Sequence, residues 1–266
     1  MRLALLLLLL AFPAWAEELV LSGTPTQGGL IYGQTAPEAI VKLDGVLMPV
    51  GDDGTFLLGF GRDAAPQAVL EVTLPHGESR SQTLTVTPRT WDIQRIDGLP
   101  PVQVTPDPAA LKRIAEDNAR IQHARLGVTR QPLFRFGYVL PAEGAISGVF
   151  GSQRILNGEP RSPHSGADIA APLGAPVKAI ADGVISLVHP DMFYTGQTVM
   201  IDHGLGLQSV YAHLSAVEVK LGQTVTKGQT IGKVGKSGRV TGPHLHFGVS
   251  LLSTKLDPLA VITPAP

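Results

Sequence analysis

Hydrophobic and polar residues alternate in short segments over the first third of the chain, from Glu17 to about Thr90. Alternation with a period of two residues is typical of strands that bury one face. Turns rich in Gly and Asp, such as Gly51-Asp52-Asp53-Gly54, separate the segments. The pattern predicts a small antiparallel β-sandwich of immunoglobulin-like type over residues 17–95. Its predicted strands are Leu19–Leu21, Ala39–Leu43, Thr55–Leu58, Ala68–Leu74 and Gln82–Val86.

Residues 96–130 replace this alternation with a helical spacing. The stretch Thr105-Pro106-Asp107-Pro108 offers an N-cap and prolines that suit a first helical turn. Four positions then recur every three or four residues: Leu111, Ile114, Asn118 and Ile121. Gly127 marks a stop. We therefore predict a short linker that contains one amphipathic helix, docked on a neighbouring domain.

From residue 131 to residue 262 the strand signals return, and glycine punctuates them densely. The whole chain has 30 Gly and 22 Pro, which favours many turns and short strands over a helical bundle. Residues 172–185 and 221–231 resemble each other, and each predicts a strand, a turn and a strand. The predicted fold class is all-β, with a C-terminal antiparallel domain that has a duplicated hairpin core and an open groove.

The first 16 residues have the form of a cleaved signal peptide. Arg2 precedes the apolar run Leu3–Phe12, and Ala14-Trp15-Ala16 places small residues where a signal peptidase cuts. The run is shorter than the ~20 residues that a membrane-spanning helix needs. We expect an exported chain with no transmembrane anchor after cleavage, located in a bacterial periplasm or outside the cell.

Composition narrows the choice of partners. The chain has no cysteine, which rules out disulfides and a lipid-modified cysteine. Its 21 Lys and Arg nearly balance its 22 Asp and Glu. A nucleic-acid partner would require a basic field, so we expect none.

Six of the eight histidines lie in the C-terminal half, and two of them belong to the stretch Gly242-Pro243-His244-Leu245-His246-Phe247. Alternation here predicts a strand, and side chains two residues apart on a strand point to the same face. His244 and His246 would therefore enter one cavity, while Leu245 and Phe247 pack behind them. This spacing indicates a metal or acid–base site.

Two further motifs supply polar groups of the same kind. In Pro163-His164-Ser165-Gly166-Ala167-Asp168 a turn leads into a strand, and it can bring an imidazole and a carboxylate together; both are zinc ligands. An Asp that accepts a turn hydrogen bond near a solvated His is the alternative. In Val210-Tyr211-Ala212-His213-Leu214-Ser215, His213 interrupts an apolar strand, where a histidine bonded to the backbone is equally compatible with the pattern.

The three motifs, in this order and separation, resemble the lysostaphin-type (LytM, beta-lytic) zinc metallopeptidases. The resemblance extends from about Gly148 to Val249 and says nothing of residues 17–130. It implies that His164, Asp168 and His246 hold Zn²⁺ as metal ligands, and that His213 and His244 are the catalytic residues beside the metal. It also implies a secreted zinc metalloendopeptidase, a hydrolase that cuts stem or bridge peptides of peptidoglycan in the bacterial cell wall.

Other hydrolase patterns fail on inspection of the sequence. There is no His-Glu-x-x-His and no Gly-x-Ser-x-Gly motif. Gly235-Lys236-Ser237 resembles the end of a phosphate-binding loop, but Gly238 and Pro243 oppose the helix such a loop requires. The remaining alternative is a non-catalytic, peptidoglycan-binding regulator of cell-wall hydrolases with the same fold. The N-terminal sandwich and helix could target the protein, obstruct the groove, or bind a regulatory protein partner.

Overall fold

The computed structural model describes residues 19–98 and 105–263, and almost all of its regular structure is β. Within these ranges the chain forms twenty strands and two helices. The prediction of an all-β class is therefore confirmed. The predicted signal peptide at residues 1–16 lies outside the described residues. Neither helix of the described part has the length and the apolar character needed to cross a membrane.

The N-terminal part contains two antiparallel sheets. The first has the order β1-β2-β5, and the second has the order β4-β3-β6-β7. The strands are β1 (Val20–Ser22), β2 (Leu30–Gln34), β3 (Ile40–Leu43), β4 (Val46–Met48), β5 (Thr55–Gly59), β6 (Gln67–Thr73) and β7 (Ser79–Thr85). All five predicted segments overlap strands, whereas β2 and β4 were missed. The immunoglobulin-like type and the domain boundaries at 17–95, 96–130 and 131–262 stay predictions.

Alternation along these strands builds a core that continues into the C-terminal part. In β6, Ala68, Leu70 and Val72 are buried while the residues between them are exposed. Gly59 lies where a Cβ would be 3.2 Å from the side chains of Leu251 and Leu256. The N-terminal sheets therefore pack directly against C-terminal strands, and one hydrophobic cluster runs through both.

Helix α1 (Pro108–Leu126) begins and ends as its sequence predicts. The Asp107 side chain accepts the Ala110 N–H at 2.7 Å, and Pro108 occupies the first turn, where no backbone N–H is needed. Ile121 and Ala124 pack against Leu187 and Met200 of the C-terminal sheet. The helix is thus docked through Ile121 and Ala124, but Leu111 and Asn118 are exposed, so the predicted stripe matches the docked side only in part.

The C-terminal part is dominated by a sheet of ten strands. Its main path has the order β17-β14-β15-β16-β19-β12-β9, and β13, β18 and β20 join it off this path. A small second sheet has the order β11-β10-β8, in which β8 is parallel to β10. The elements are β8 (Ile93–Ile96), β9 (Ala145–Gly148), β10 (Gln153–Leu156), β11 (Glu159–Pro160), β12 (Ala167–Ala170), β13 (Pro176–Lys178), β14 (Gly183–Met192), β15 (Gly196–Asp202), β16 (Leu207–Val217), β17 (Thr224–Val225), β18 (Thr230–Val234), β19 (Leu245–Leu251), β20 (Thr254–Leu256) and helix α2 (Pro258–Ile262).

The two sequence segments that resemble each other each supply two strands. The first supplies β13 and the start of β14, and the second supplies β17 and β18. Strand β13 pairs with β18, and β14 pairs with β17. The duplication is therefore present, but these strands pair between the two segments rather than inside each one.

A buried polar network lies behind strand β16. Ile180 N–H donates to the Tyr211 hydroxyl at 3.0 Å, and Ser209 Oγ lies 3.0 Å from the same hydroxyl. Ser209 Oγ is also 2.7 Å from His203 Nε2, while His203 Nδ1 lies 2.7 Å from the Asp182 carbonyl oxygen. Burial lowers the pKa of His203 to about 4, so the ring is neutral and structural at neutral pH.

Replacing Tyr211 by Phe removes one hydroxyl from this network. The Ile180 N–H loses its acceptor, and an unsatisfied buried donor costs about 1–3 kcal/mol. We expect Tyr211→Phe to lower the free energy of unfolding by that amount in urea titrations. The matched control is Tyr194→Phe, because Tyr194 is only partly buried and its ring packs against the Arg239 guanidinium group, a contact that a phenylalanine ring can keep. Equal stability losses in the two variants would contradict this account.

Candidate metal centre

Register between three neighbouring strands brings the predicted site residues together. Asp168 on β12 pairs directly with His246 on β19, and His246 pairs directly with Ala212 on β16. Directly paired residues of antiparallel strands share a face of the sheet. On β19, Leu245 and Phe247 are fully buried on the opposite face, as the alternation predicts. The sheet therefore presents Asp168 and His246 side by side.

His164 enters the same space from the segment before β12. Its backbone N–H donates to the Ser152 carbonyl oxygen, and its own carbonyl accepts from Gly151, both at 2.9 Å. The Nδ1–H of His164 faces the Val149 carbonyl oxygen at 3.0 Å. This bond fixes the tautomer, and it leaves Nε2 to face Asp168 and His246.

Three donor atoms converge in this space. Asp168 Oδ1 is 3.1 Å from His164 Nε2 and 2.8 Å from His246 Nδ1, and the two imidazole nitrogens are 3.1 Å apart. Tetrahedral zinc with bonds of about 2.0–2.1 Å holds its ligands about 3.3 Å from one another. The group can therefore hold one metal ion after shifts of a few tenths of an ångström. Three protein donors leave a fourth position open, as catalytic zinc sites do.

Two glycines make room for these donors. A Cβ at Gly148 would lie 2.5 Å from Asp168 Oδ2, and a Cβ at Gly166 would lie 2.9 Å from His246 Cε1. Contacts this short are incompatible with a side chain unless the donor moves. The backbone therefore approaches the carboxylate and the imidazole closely, and it does so at positions where only glycine fits.

The site keeps its carboxylate charged and its imidazole neutral. Burial raises the pKa of Asp168, but the His164 and His246 side chains beside the carboxylate outweigh burial and hold that pKa far below its usual range. Burial lowers the pKa of His246, although the neighbouring Asp168 opposes this shift. A charged carboxylate and neutral imidazoles are the forms that bind metal ions.

His213 and His244 lie beside the three donors. The centroid of the His213 ring is 4.8 Å from that of His244 and 6.0 Å from that of His246. His213 Nδ1 lies 2.8 Å from the Ser237 carbonyl oxygen, and His244 Nδ1 lies 3.0 Å from the Gly242 carbonyl oxygen. Both rings thus carry their proton on Nδ1 and present Nε2 as an acceptor. Burial, helped by the nearby His246, lowers the pKa of His213 to about 3.

The backbone of His213 breaks the alternation of β16. Strict alternation would place His213 on the face opposite Ala212, together with the core residue Tyr211. Leu214 lies three positions after Tyr211, whereas their partners Gln197 and Val199 are two positions apart, so β16 contains one extra residue. His213 has a φ of 62° at this bulge, and Leu214 is fully buried after it. The left-handed conformation turns the imidazole into the site.

The structure brings together all five residues that the sequence singled out, namely His164, Asp168, His213, His244 and His246. Their individual roles stay predictions. Sequence reasoning missed the carbonyl groups of Val149 and Ser237, because any residue type supplies a backbone oxygen. It also missed Arg154, whose Nη2 lies 3.8 Å from Asp168 Oδ2. No motif marked Arg154, although it precedes His164 by ten residues.

Fold and site together define an all-β protein with a His–Asp–His group able to hold one metal ion. The family model described as Peptidase family M23 matches residues 162–258. A solved structure of a peptidase M23 from Pseudomonas aeruginosa is 31% identical, with a TM-score of 0.72, over 90% of this chain and 96% of that one. The chain belongs to peptidase family M23, which confirms the lysostaphin-type resemblance.

Curated relatives match the C-terminal part. Peptidoglycan DD-endopeptidase ShyA of Vibrio cholerae is 43% identical over 113 residues, which cover 41% of this chain and 26% of that protein. DD-carboxypeptidase/endopeptidase Mpg of Neisseria meningitidis is 46% identical over 103 residues, which cover 39% of this chain and 24% of that protein. The matched region thus spans about a quarter of the length of these relatives.

Because His213 has a left-handed backbone conformation, glycine at this position should give a more stable protein than alanine, which is the reverse of the usual order in a strand. The left-handed backbone conformation destabilises a residue with a Cβ by about 1–2 kcal/mol, whereas glycine adopts it without this cost. We expect His213→Gly to be about 1 kcal/mol more stable than His213→Ala in denaturant unfolding. Thr83, an exposed residue of β7 without a positive φ, provides the control pair. There glycine should be about 0.5–1 kcal/mol less stable than alanine. If the stability difference between the glycine and alanine variants had the same sign at both positions, His213 would not be strained.

Removing one of the three converging donors should disrupt metal binding. We expect Asp168→Ala and His246→Ala each to weaken zinc affinity by at least about 100-fold, since even changes behind the ligands cost about 10–100-fold. Competition titration against a chromogenic chelator measures this. His123→Ala, on the exposed side of α1, is the matched histidine control and should bind zinc as the unmodified chain does. Unchanged zinc affinity in both donor variants would show that these residues do not form the metal site.

Proposed function

We propose that this chain is an exported, zinc-dependent endopeptidase that hydrolyses peptide cross-links or bridges of bacterial peptidoglycan. The observation that carries the proposal is the convergence of Asp168 Oδ1 with one nitrogen each of His164 and His246 within 3.1 Å. The His213 and His244 rings beside these donors add the proton-handling groups that peptide hydrolysis requires. The name of ShyA, a peptidoglycan DD-endopeptidase, supports peptidoglycan as the substrate.

The donor set matches zinc chemistry. His164, Asp168 and His246 offer two imidazole nitrogens and one carboxylate oxygen, a set found in catalytic zinc sites. When bound, zinc supplies a Lewis acid for the scissile carbonyl group and for water. The chain's own residues then have to orient the peptide, transfer protons and maintain the geometry of the site.

Proton handling falls to His213 and His244. The bonds to the Ser237 and Gly242 carbonyl oxygens hold both protons on Nδ1, so both Nε2 atoms can accept. One proton must leave the attacking water, and one must reach the leaving amine. The low pKa of His213 keeps that imidazole neutral between turnovers. His244 Nε2 lies 3.9 Å from Asp168 Oδ1, so this ring directly borders the three donors.

Export follows from the proposed substrate. Peptidoglycan lies outside the cytoplasmic membrane, and the form of residues 1–16 predicts a signal peptide. The proposed location is therefore the periplasm or the cell exterior, in contact with the cell wall. The non-catalytic regulator that the fold also allows has no need of His213 and His244, and both are present here.

Digestion of purified sacculi tests this proposal. We expect the mature chain to release peptide amines, a chelator to stop the release, and added zinc to restore it. His213→Ala should keep one zinc per chain and slow the release by about 100- to 10,000-fold, the usual contribution of a positioned acid–base group.

The matched control is His189→Ala, a histidine of β14 outside the site, which should leave the rate unchanged. If a fully zinc-loaded chain left the sacculi undigested, the proposed peptidase activity would be contradicted. A chain that binds no zinc and releases no amines would favour the regulator instead.

A further inference from the structure

Two arginines face each other on the hairpin next to the metal centre. Strands β10 and β11 pair Ile155 with Pro160, and the Arg161 N–H donates to the Arg154 carbonyl oxygen at 2.8 Å. This register places Arg154 directly opposite Arg161, with both side chains on one face of the hairpin. Like charges directly opposite each other destabilise a hairpin. A nearby anion would relieve the repulsion between these two guanidinium groups.

The described residues supply little of that negative charge. Asp168 is the only acidic partner recorded for Arg154, and the distance from Nη2 to Oδ2 is 3.8 Å, too long for a hydrogen bond. The other oxygen of Asp168 lies among the metal donors. No ion pair is recorded for Arg161 within residues 19–98 and 105–263. Arg154 thus has one carboxylate nearby, and that carboxylate would also have to bind the metal.

Unused hydrogen-bond donors point the same way. The Nε atoms of Arg154 and Arg161 are buried, and neither has a hydrogen-bond partner in the described part of the chain. A buried donor without an acceptor is costly, and a charged one more so. The Arg154 side chain remains 27% exposed, so a ligand can reach part of it. Burial also lowers the pKa of Arg154, an effect that the Asp168 charge opposes and that of Arg239 reinforces.

We propose that Arg154, assisted by Arg161, binds a free carboxylate of the peptide substrate beside the metal centre. A guanidinium group binds a carboxylate through two parallel hydrogen bonds, which suits a planar fork with unused donors. The carboxylate belongs to the residue on the carboxyl side of the scissile bond. The inference rests on the proposed peptidase function and deepens it, because it selects carboxylate-bearing cross-links over uncharged glycine bridges.

Matched peptides test this substrate class. Two synthetic peptides differ only in the residue after the scissile bond, which carries a free α-carboxylate in one and a carboxamide in the other. We expect the zinc-loaded mature chain to prefer the carboxylate by about 10- to 100-fold in kcat/KM, the contribution of one charge-assisted pair. Arg154→Gln should abolish the preference, mainly through KM, while zinc stoichiometry stays at one. Arg154→Lys should keep part of it.

Arg95→Gln is the control, because Arg95 is an exposed arginine on β8, the strand parallel to β10. It should retain the full preference for the carboxylate peptide. Equal cleavage of the two peptides by the unmodified chain would overturn the proposal. It would also be overturned if Arg154→Gln lost zinc affinity and slowed both peptides alike, since Arg154 would then only position Asp168.

Binding without turnover separates this inference from the proposed function. Calorimetry with zinc-loaded His213→Ala should show weaker binding of the carboxamide peptide by the same factor, and Arg154→Gln in that background should remove the difference. If no peptide is cleaved but the carboxylate preference in binding persists, the peptidase assignment fails and the carboxylate site stands. Equal binding of the two peptides overturns the site, whatever the activity.

Discussion

The carboxylate of Asp168 is the point on which the C-terminal structure depends. It lies within 3.1 Å of nitrogens of both His164 and His246, and these contacts hold its pKa low despite burial. A buried carboxylate is costly unless charged partners or hydrogen bonds compensate for it. Here the compensating groups are themselves metal donors, so the interactions that make the carboxylate tolerable also assemble a place for a cation.

The sheet delivers these groups by register. Because Asp168 pairs with His246 and His246 with Ala212, a slip of one residue on β19 would send His246 into the core. The fully buried Leu245 and Phe247 oppose such a slip. Packing on one face of the sheet thus holds the site residues in position on the other face. The bulge at His213 is the exception, where the backbone accepts a left-handed residue to place one more imidazole.

Much of this was predictable from the sequence because it rests on periodicity. The His244-x-His246 pair, the alternation around it and the N-cap at Asp107 are local patterns with direct structural meaning. The left-handed His213 was not predictable, because its cause is a mismatch between β15 and β16. The opposing Arg154 and Arg161 were missed for another reason, because the local Asn157-Gly158 turn between β10 and β11, which sets their register, was not read as a hairpin signal. Strand pairing between distant segments leaves no local signal.

X-ray absorption at the zinc edge of the purified mature chain tests the central claim most directly. The account predicts one zinc per chain with two imidazole nitrogens and carboxylate or water oxygens in the first shell, at about 2.0–2.1 Å. A shell with three or more imidazoles would mean that His213 or His244 is a ligand rather than a proton-handling group. That result, or no bound zinc after incubation with the metal, would contradict the account.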